Sequence, residues 1–181
     1  MAAEEIAAAL ERVRAVLRRR PEVGMHDDAP ATARWDGGAR VVASHANGTE
    51  IPTDMPRELG GAGNEVTPGW LLRAGFASCT ATCIGLAAAA DGIALKELEV
   101  QARSRSDTRG LLGFAGADGE PVSAGPRDVQ MIVRISAPGV SASRLRALVE
   151  QSYRCSPMAR AVEDAVPVAL QIEIDSATDT G

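Results

Sequence analysis

The stretch Thr67-Pro68-Gly69-Trp70-Leu71-Leu72-Arg73-Ala74-Gly75-Phe76-Ala77-Ser78-Cys79 decides how this chain of 181 residues is read. Thr67 has the side chain of a helix cap, and Pro68 falls at the first helical position, where a missing N–H is harmless. From there the chain is apolar or small on nearly every side as far as Asp91-Gly92, the pair expected to end the helix. One long central helix is therefore predicted from 67 to about 90, with Gly75 and Gly85 open to close approach by another backbone. Cys79 sits about three turns inside it.

Upstream, Ile6, Leu10, Val13 and Leu17 recur at spacings of three and four, an amphipathic helix stopped by Pro21. Its final Arg18-Arg19-Arg20 suits the negative end of a helix dipole better than a nucleic-acid surface. A linker rich in Pro, Gly and Asp leads to a meander of short strands over 32–55, with Asp36-Gly37-Gly38 and Asn47-Gly48 as turns. Downstream, Leu98, Val100 and Ala102 alternate with polar residues, as do Val129, Met131, Val133 and Ile135, which predicts two half-buried strands. The Gly/Pro-rich segment between them, 108–127, is too long for a tight turn. A helix from Ser141 or Ser143 to about Tyr153 comes next, then a second cap-and-proline start at Ser156-Pro157. Val168, Leu170, Ile172 and Ile174 predict a final strand. This order is α+β.

Composition narrows the function. Aromatics are only 3% against 45% hydrophobic residues, so the core is expected to consist of Ala, Val, Leu and Ile. A net charge of -5 argues against a broad nucleic-acid surface. Three cysteines and no signal-like N-terminus fit free thiols in the cytoplasm, and the apolar run at 79–90 suits a core helix rather than a membrane span. Three Cys and two His without a C-x-x-C do not make the pattern of a metal site, and the glycines at 60–63 lack the residues of a phosphate-binding loop, so no cofactor is expected.

The helix-borne Cys79, the second thiol in Arg154-Cys155-Ser156-Pro157-Met158, and Pro56-Arg57-Glu58-Leu59-Gly60-Gly61-Ala62-Gly63 just upstream together resemble the OsmC/Ohr family, the osmotically inducible protein C and organic hydroperoxide resistance proteins. The resemblance covers roughly 32–175, leaving 1–31 as an added helix and linker and 176–181 as a tail. It implies an OsmC-like fold, with antiparallel sheets around a buried central helix in an intertwined homodimer whose two thiol sites lie near the subunit interface. It further implies a peroxidase in which Cys79 attacks an organic hydroperoxide, with an external dithiol as reductant, in oxidative-stress defence.

Residue by residue, the match has departures. The family's glutamate falls directly after the helix-opening proline, where this chain has Gly69; Glu65 is the nearest substitute. The positioning arginine is assigned to Arg40, with Arg34 and Arg57 as alternatives. The second cysteine of the family stands immediately before a proline, where this chain has Ser156, so Cys155, one residue earlier, is the expected resolving thiol. Cys83, one turn beyond Cys79, is either another partner or a core residue. Trp35, Trp70 and Phe76, with Phe114, are expected to line an apolar substrate pocket. The helix dipole acts within the first turn only, so a nucleophilic Cys79 requires a nearby cation. The alternative is an OsmC-fold protein without peroxidase activity that binds a small apolar ligand.

Overall fold

A computed structural model describes residues 3–164 and 168–172. The helix α1 spans Ala3–Arg19 and leads through a single 3-10 turn at Pro21–Gly24 into a meander of β1 (Thr32–Trp35), β2 (Val41–Ser44) and β3 (Glu50–Thr53). All pairings in it are antiparallel, with Trp35 opposite Val41 and Val41 opposite Thr53. Both predicted turns form. The Asp36 N–H donates to the Arg40 carbonyl at 3.0 Å, and Gly37 and Gly38 take φ of 96° and 56°, which side chains other than glycine rarely adopt.

The central helix α2 runs Pro68–Ala90, and the Thr67 hydroxyl accepts from the Trp70 N–H at 3.2 Å. Next comes β4 (Glu97–Arg105), then the short helix α3 (Thr108–Leu111), β5 (Arg127–Ser136), α4 (Ala142–Arg154) and α5 (Pro157–Glu163). Strands β4 and β5 form an antiparallel pair, with Val100 opposite Val133 and a register irregularity at Arg103/Arg105. The expected antiparallel sheets and long central helix are both present.

The core lies where α2 meets the β4–β5 pair and α4. Ile84, Ala88, Ile93 and Leu148 are buried, and Leu98, Val100, Val133 and Ile135 pack against them. As composition required, aliphatic side chains fill it, with Phe76 the one buried ring among the described residues. By length and composition α2 passes as a membrane span, but its buried positions are occupied by this packing. Burial is one-sided: Phe76, Thr80, Ile84 and Ala88 recur every fourth residue, whereas Leu72, Gly75, Thr82 and Leu86 stand exposed on another side.

Two elements differ from the sequence reading. The 108–127 segment is structured: α3 opens it, Ala115 bridges Pro121, and the Val122 N–H donates to the Phe114 carbonyl at 3.0 Å. Gly110 permits this fold-back, because a Cβ there would stand 2.4 Å from the Ser123 carbonyl oxygen. The predicted last strand is not seen at 168–172, where Val168 and Leu170 are 90% and 85% exposed. Alternation prepares a face for burial, but a strand exists only when its backbone pairs with an edge, and these residues join no ladder. Ile174 lies outside the described residues.

Candidate active site

Cys79 is half-buried on α2, and its neighbour across the fold is the start of α5. Ser156 caps that helix, accepting from the Ala159 N–H at 3.4 Å, and its hydroxyl donates to the Cys79 sulfur at 3.3 Å. The serine is completely buried, so the hydroxyl is held in place rather than sampling solvent. A donor aimed at sulfur is what a thiolate needs.

Cys155 makes no hydrogen bond to Cys79 among the described residues. It closes the C-terminus of α4, is exposed, and offers its backbone carbonyl to the Cys83 thiol, with Cys83 Sγ at 3.8 Å. Cys83 stands one helical turn beyond Cys79 on the same side of α2. Burial pushes the Cys83 thiol up from its ordinary value, and the Cys79 and Cys155 sulfurs nearby push the same way. The three thiols thus form one cluster at the junction of α2 and α4. Helix α1 lies over its far side, where Leu10 and Arg14 share a cleft of about 340 Å³ with Cys83, Leu86 and Cys155.

Arg40 follows the Gly37-Gly38 turn, and its guanidinium bonds Asp36 at 3.0 Å and Glu65 at 3.4 Å. An arginine and a carboxylate are therefore brought together from β2's start and the loop before α2. Arg57 donates instead to the Ala62 carbonyl at 3.2 Å, and Arg34 lines a separate surface cleft with Trp35 and Arg40. Among the described residues no guanidinium hydrogen-bonds or pairs with Cys79. At Gly69 a Cβ would meet Arg73 Nη1 at an ordinary 3.7 Å, so a side chain fits there and its absence is not imposed by space.

The aromatic candidates lie apart. Phe76 is 3% exposed, its ring 6.3 Å from that of Tyr153, where it joins α2 to α4. Trp35 is 71% exposed with its indole N–H on the Gly38 carbonyl, and Trp70 stands half-exposed in the first turn of α2. Phe114 is exposed in the loop between β4 and β5.

Asp54 was not singled out by the sequence, yet it organises the approach to α2. Buried, its carboxylate accepts from the N–H groups of Met55 (2.7 Å), Ala62 (2.7 Å) and Gly63 (3.2 Å). These bonds, that from Met55 foremost, hold its carboxyl below the ordinary range, and Arg40 adds to the effect. Gly61 is required in this loop, since a Cβ there would fall 1.8 Å from the Met55 carbonyl oxygen. The signal available was an aspartate just ahead of a glycine-rich loop, which is common in turns that have no such role.

Comparison with known proteins fits this architecture. Residues 61–171 match the family model described as OsmC-like protein. No curated protein sequence gives a significant match. Among solved structures, an OsmC-like protein from Mycoplasma pneumoniae aligns with a TM-score of 0.63 at 18% identity, covering 77% of this chain and 89% of that one. An OsmC-like protein of unknown function from Vibrio cholerae gives 0.61 at 13% identity, over 76% and 95% of the two chains. An organic hydroperoxide resistance protein from Elizabethkingia anophelis gives 0.52 at 21% identity, over 76% and 89%. At such identities structural likeness speaks for the fold and leaves chemistry to the residues. The family match over more than half the chain, on a fold with antiparallel sheets and a thiol-bearing central helix, shows that this chain belongs to the OsmC-like protein family.

Proposed function

We propose that this protein is a thiol-dependent peroxidase that reduces organic hydroperoxides through Cys79, in cytoplasmic defence against oxidative stress. The observation that carries the reading is the buried Ser156 hydroxyl donating to the Cys79 sulfur at 3.3 Å, which supplies a fixed donor to a half-open thiol. As a thiolate, that sulfur attacks the distal oxygen of the hydroperoxide. The O–O bond breaks, the alkoxide takes up a proton and leaves as the alcohol, and Cys79 is left as a sulfenic acid. An external dithiol then returns the oxidised protein to its thiol form. Solved neighbours on this fold include organic hydroperoxide resistance proteins, which supports the reaction class.

In this reading the Arg40–Glu65 pair takes the place of the arginine and glutamate that orient peroxide and thiolate, with Glu65 standing in for the carboxylate that Gly69 lacks. The working form is a homodimer. The exposed Leu72, Gly75, Thr82 and Leu86 side of α2 supports it, since small residues between two leucines allow close helix approach, and Cys79 borders that side.

Binding of a small apolar ligand without peroxidase activity is the second reading, favoured by Gly69 and by the lack of a guanidinium on Cys79 among the described residues. Turnover of cumene hydroperoxide with dihydrolipoamide as the dithiol separates the two. The wild-type protein is expected to turn over and Cys79→Ser to be inactive; full turnover by the variant, or unmodified thiols in the wild type, would sink the peroxidase reading.

A further inference from the structure

Three cysteines lie near one another in this fold, and the peroxidase step uses one of them. Residues four apart on a helix share a side, which sets Cys79 and Cys83 one turn apart on α2. On the other side of Cys83 lies Cys155, whose carbonyl oxygen is 3.8 Å from Cys83 Sγ. That oxygen is two bonds from the Cys155 Cα, which puts the Cys83 sulfur within about 6 Å of it, a span that a rotamer change and a small shift of the turn can close. Ser156, facing Cys79, has no sulfur with which to form a bond. Cys83 thus stands between the other two cysteines, one helical turn from Cys79 and with its sulfur on the Cys155 backbone.

We propose that Cys83 and Cys155 form a redox-active pair in the cleft beneath α1, which takes the oxidising equivalent from Cys79 and closes as a Cys83–Cys155 disulfide. The proposal rests on the peroxidase reading for its oxidant, the hydroperoxide. Cys83 attacks the sulfur of the Cys79 sulfenic acid; the S–O bond breaks, hydroxide leaves as water with the proton from Cys83, and a Cys79–Cys83 disulfide forms. The Cys155 thiolate then attacks Cys83 Sγ, the S–S bond breaks, and Cys79 departs as a thiolate ready for another hydroperoxide. The sum is one hydroperoxide and two thiols converted to one alcohol, one water and one disulfide.

Two features favour this order. Burial, with Cys79 and Cys155 adding to it, pushes the Cys83 thiol up from its ordinary value, so Cys83 stays protonated and does not compete with Cys79 for the hydroperoxide. Cys155 is exposed whereas Cys79 and Cys83 are half-buried, so the final disulfide presents to an incoming dithiol the sulfur that solvent reaches best. Arg14 of α1 lines the same cleft, its guanidinium paired with Glu11 at 2.7 Å.

Fully reduced full-length protein is treated with one equivalent of cumene hydroperoxide, alkylated, and mapped by non-reducing peptide mass spectrometry. A Cys83–Cys155 bond is expected in the wild type, a trapped Cys79–Cys83 bond in Cys155→Ser, and a dimedone-reactive Cys79 in Cys83→Ser. A Cys79–Cys155 bond formed at the wild-type rate in Cys83→Ser, or a freely alkylated Cys83 in oxidised wild type, would overturn the proposal. A second arm treats Cys79→Ser with diamide, which oxidises thiol pairs without peroxide. Closure of Cys83–Cys155 there, with wild-type thiols inert to peroxide, sustains the pair and removes the peroxidase reading. If diamide leaves both thiols open, the pair is wrong whatever the peroxide does.

Discussion

The hydroxyl of Ser156 donates to the sulfur of Cys79 at 3.3 Å, although 77 residues of chain separate them. The same oxygen caps α5, so one small side chain both starts a helix and faces the thiol on another. Ser156→Ala removes both contacts. Unfolding stability is expected to fall by about 1 kcal/mol from loss of the cap, and Cys79 oxidation by cumene hydroperoxide to slow. Ser156→Cys is expected to form a disulfide between Cys79 and the new thiol under peroxide, read by peptide mapping. A variant that never crosslinks while Cys79 oxidises would show that the two positions do not meet in solution.

If the Arg40–Glu65 pair positions the hydroperoxide, Arg40→Ala should lower kcat/KM by about a hundredfold, on the scale of losing one preorganised charged donor. Glu65→Gln should have a smaller effect, and the double variant should resemble Arg40→Ala alone, because Glu65 acts only through Arg40. Additive losses in steady-state assays would assign the two residues to separate tasks.

Asp54 makes a prediction about acid. Its folded carboxyl titrates below the ordinary value of 3.8, so the unfolded chain binds the proton first. Its stabilising contribution is then complete well above pH 3.8 and is lost as pH falls through the lower, folded value. Asp54→Asn is expected to lower stability at pH 7 and to flatten the acid limb of a denaturant-derived stability profile. An unchanged acid limb would mean that the three backbone bonds do not hold in solution.

Thr80, beside Cys79, is fully buried, and its hydroxyl has no hydrogen-bond partner among the described residues. Thr80→Val has nearly the same shape without the stranded polar group. Stability is expected to rise by about 1 kcal/mol in urea titrations, with peroxide chemistry unaffected. A loss instead would point to a buried water on that hydroxyl.

The exposed side of α2 tests the dimer. Leu72→Glu combined with Leu86→Glu places charge on two partly exposed leucines, 43% and 38% exposed in the single chain. Light scattering is expected to give a homodimer for the wild type and a shift toward monomer for the variant. Equal masses for the two proteins would place any interface elsewhere.

Where neighbours in sequence decide the outcome, the sequence was sufficient. Thr67-Pro68 and Ser156-Pro157 announce helix starts because a cap oxygen and the N–H it accepts lie within three residues. Two-residue alternation marks β4 and β5 because side chains of a strand point to opposite faces. The thiol-bearing helix, the α+β order and the family resemblance were legible on those grounds. The strand expected from 168 shows the limit, since alternation at Val168, Leu170 and Ile172 cannot supply the edge that a strand must pair with.

Only the tertiary structure decided which residue meets Cys79. Cys155 and Ser156 are consecutive, and at the junction of α4 and α5 one step along the chain sends the hydroxyl to Cys79 and the neighbouring carbonyl to Cys83. Arg40 meets Glu65 across a meander, and Asp54 gathers N–H groups from a loop eight residues on. Caps and alternation depend on bonds of short range, which the order of residues dictates. The thiol cluster depends on how α2, α4 and α5 rest against one another, and that is set by close packing of Ile84 and Ala88 from one helix against Leu148 from another, a contact between residues about sixty positions apart in the chain.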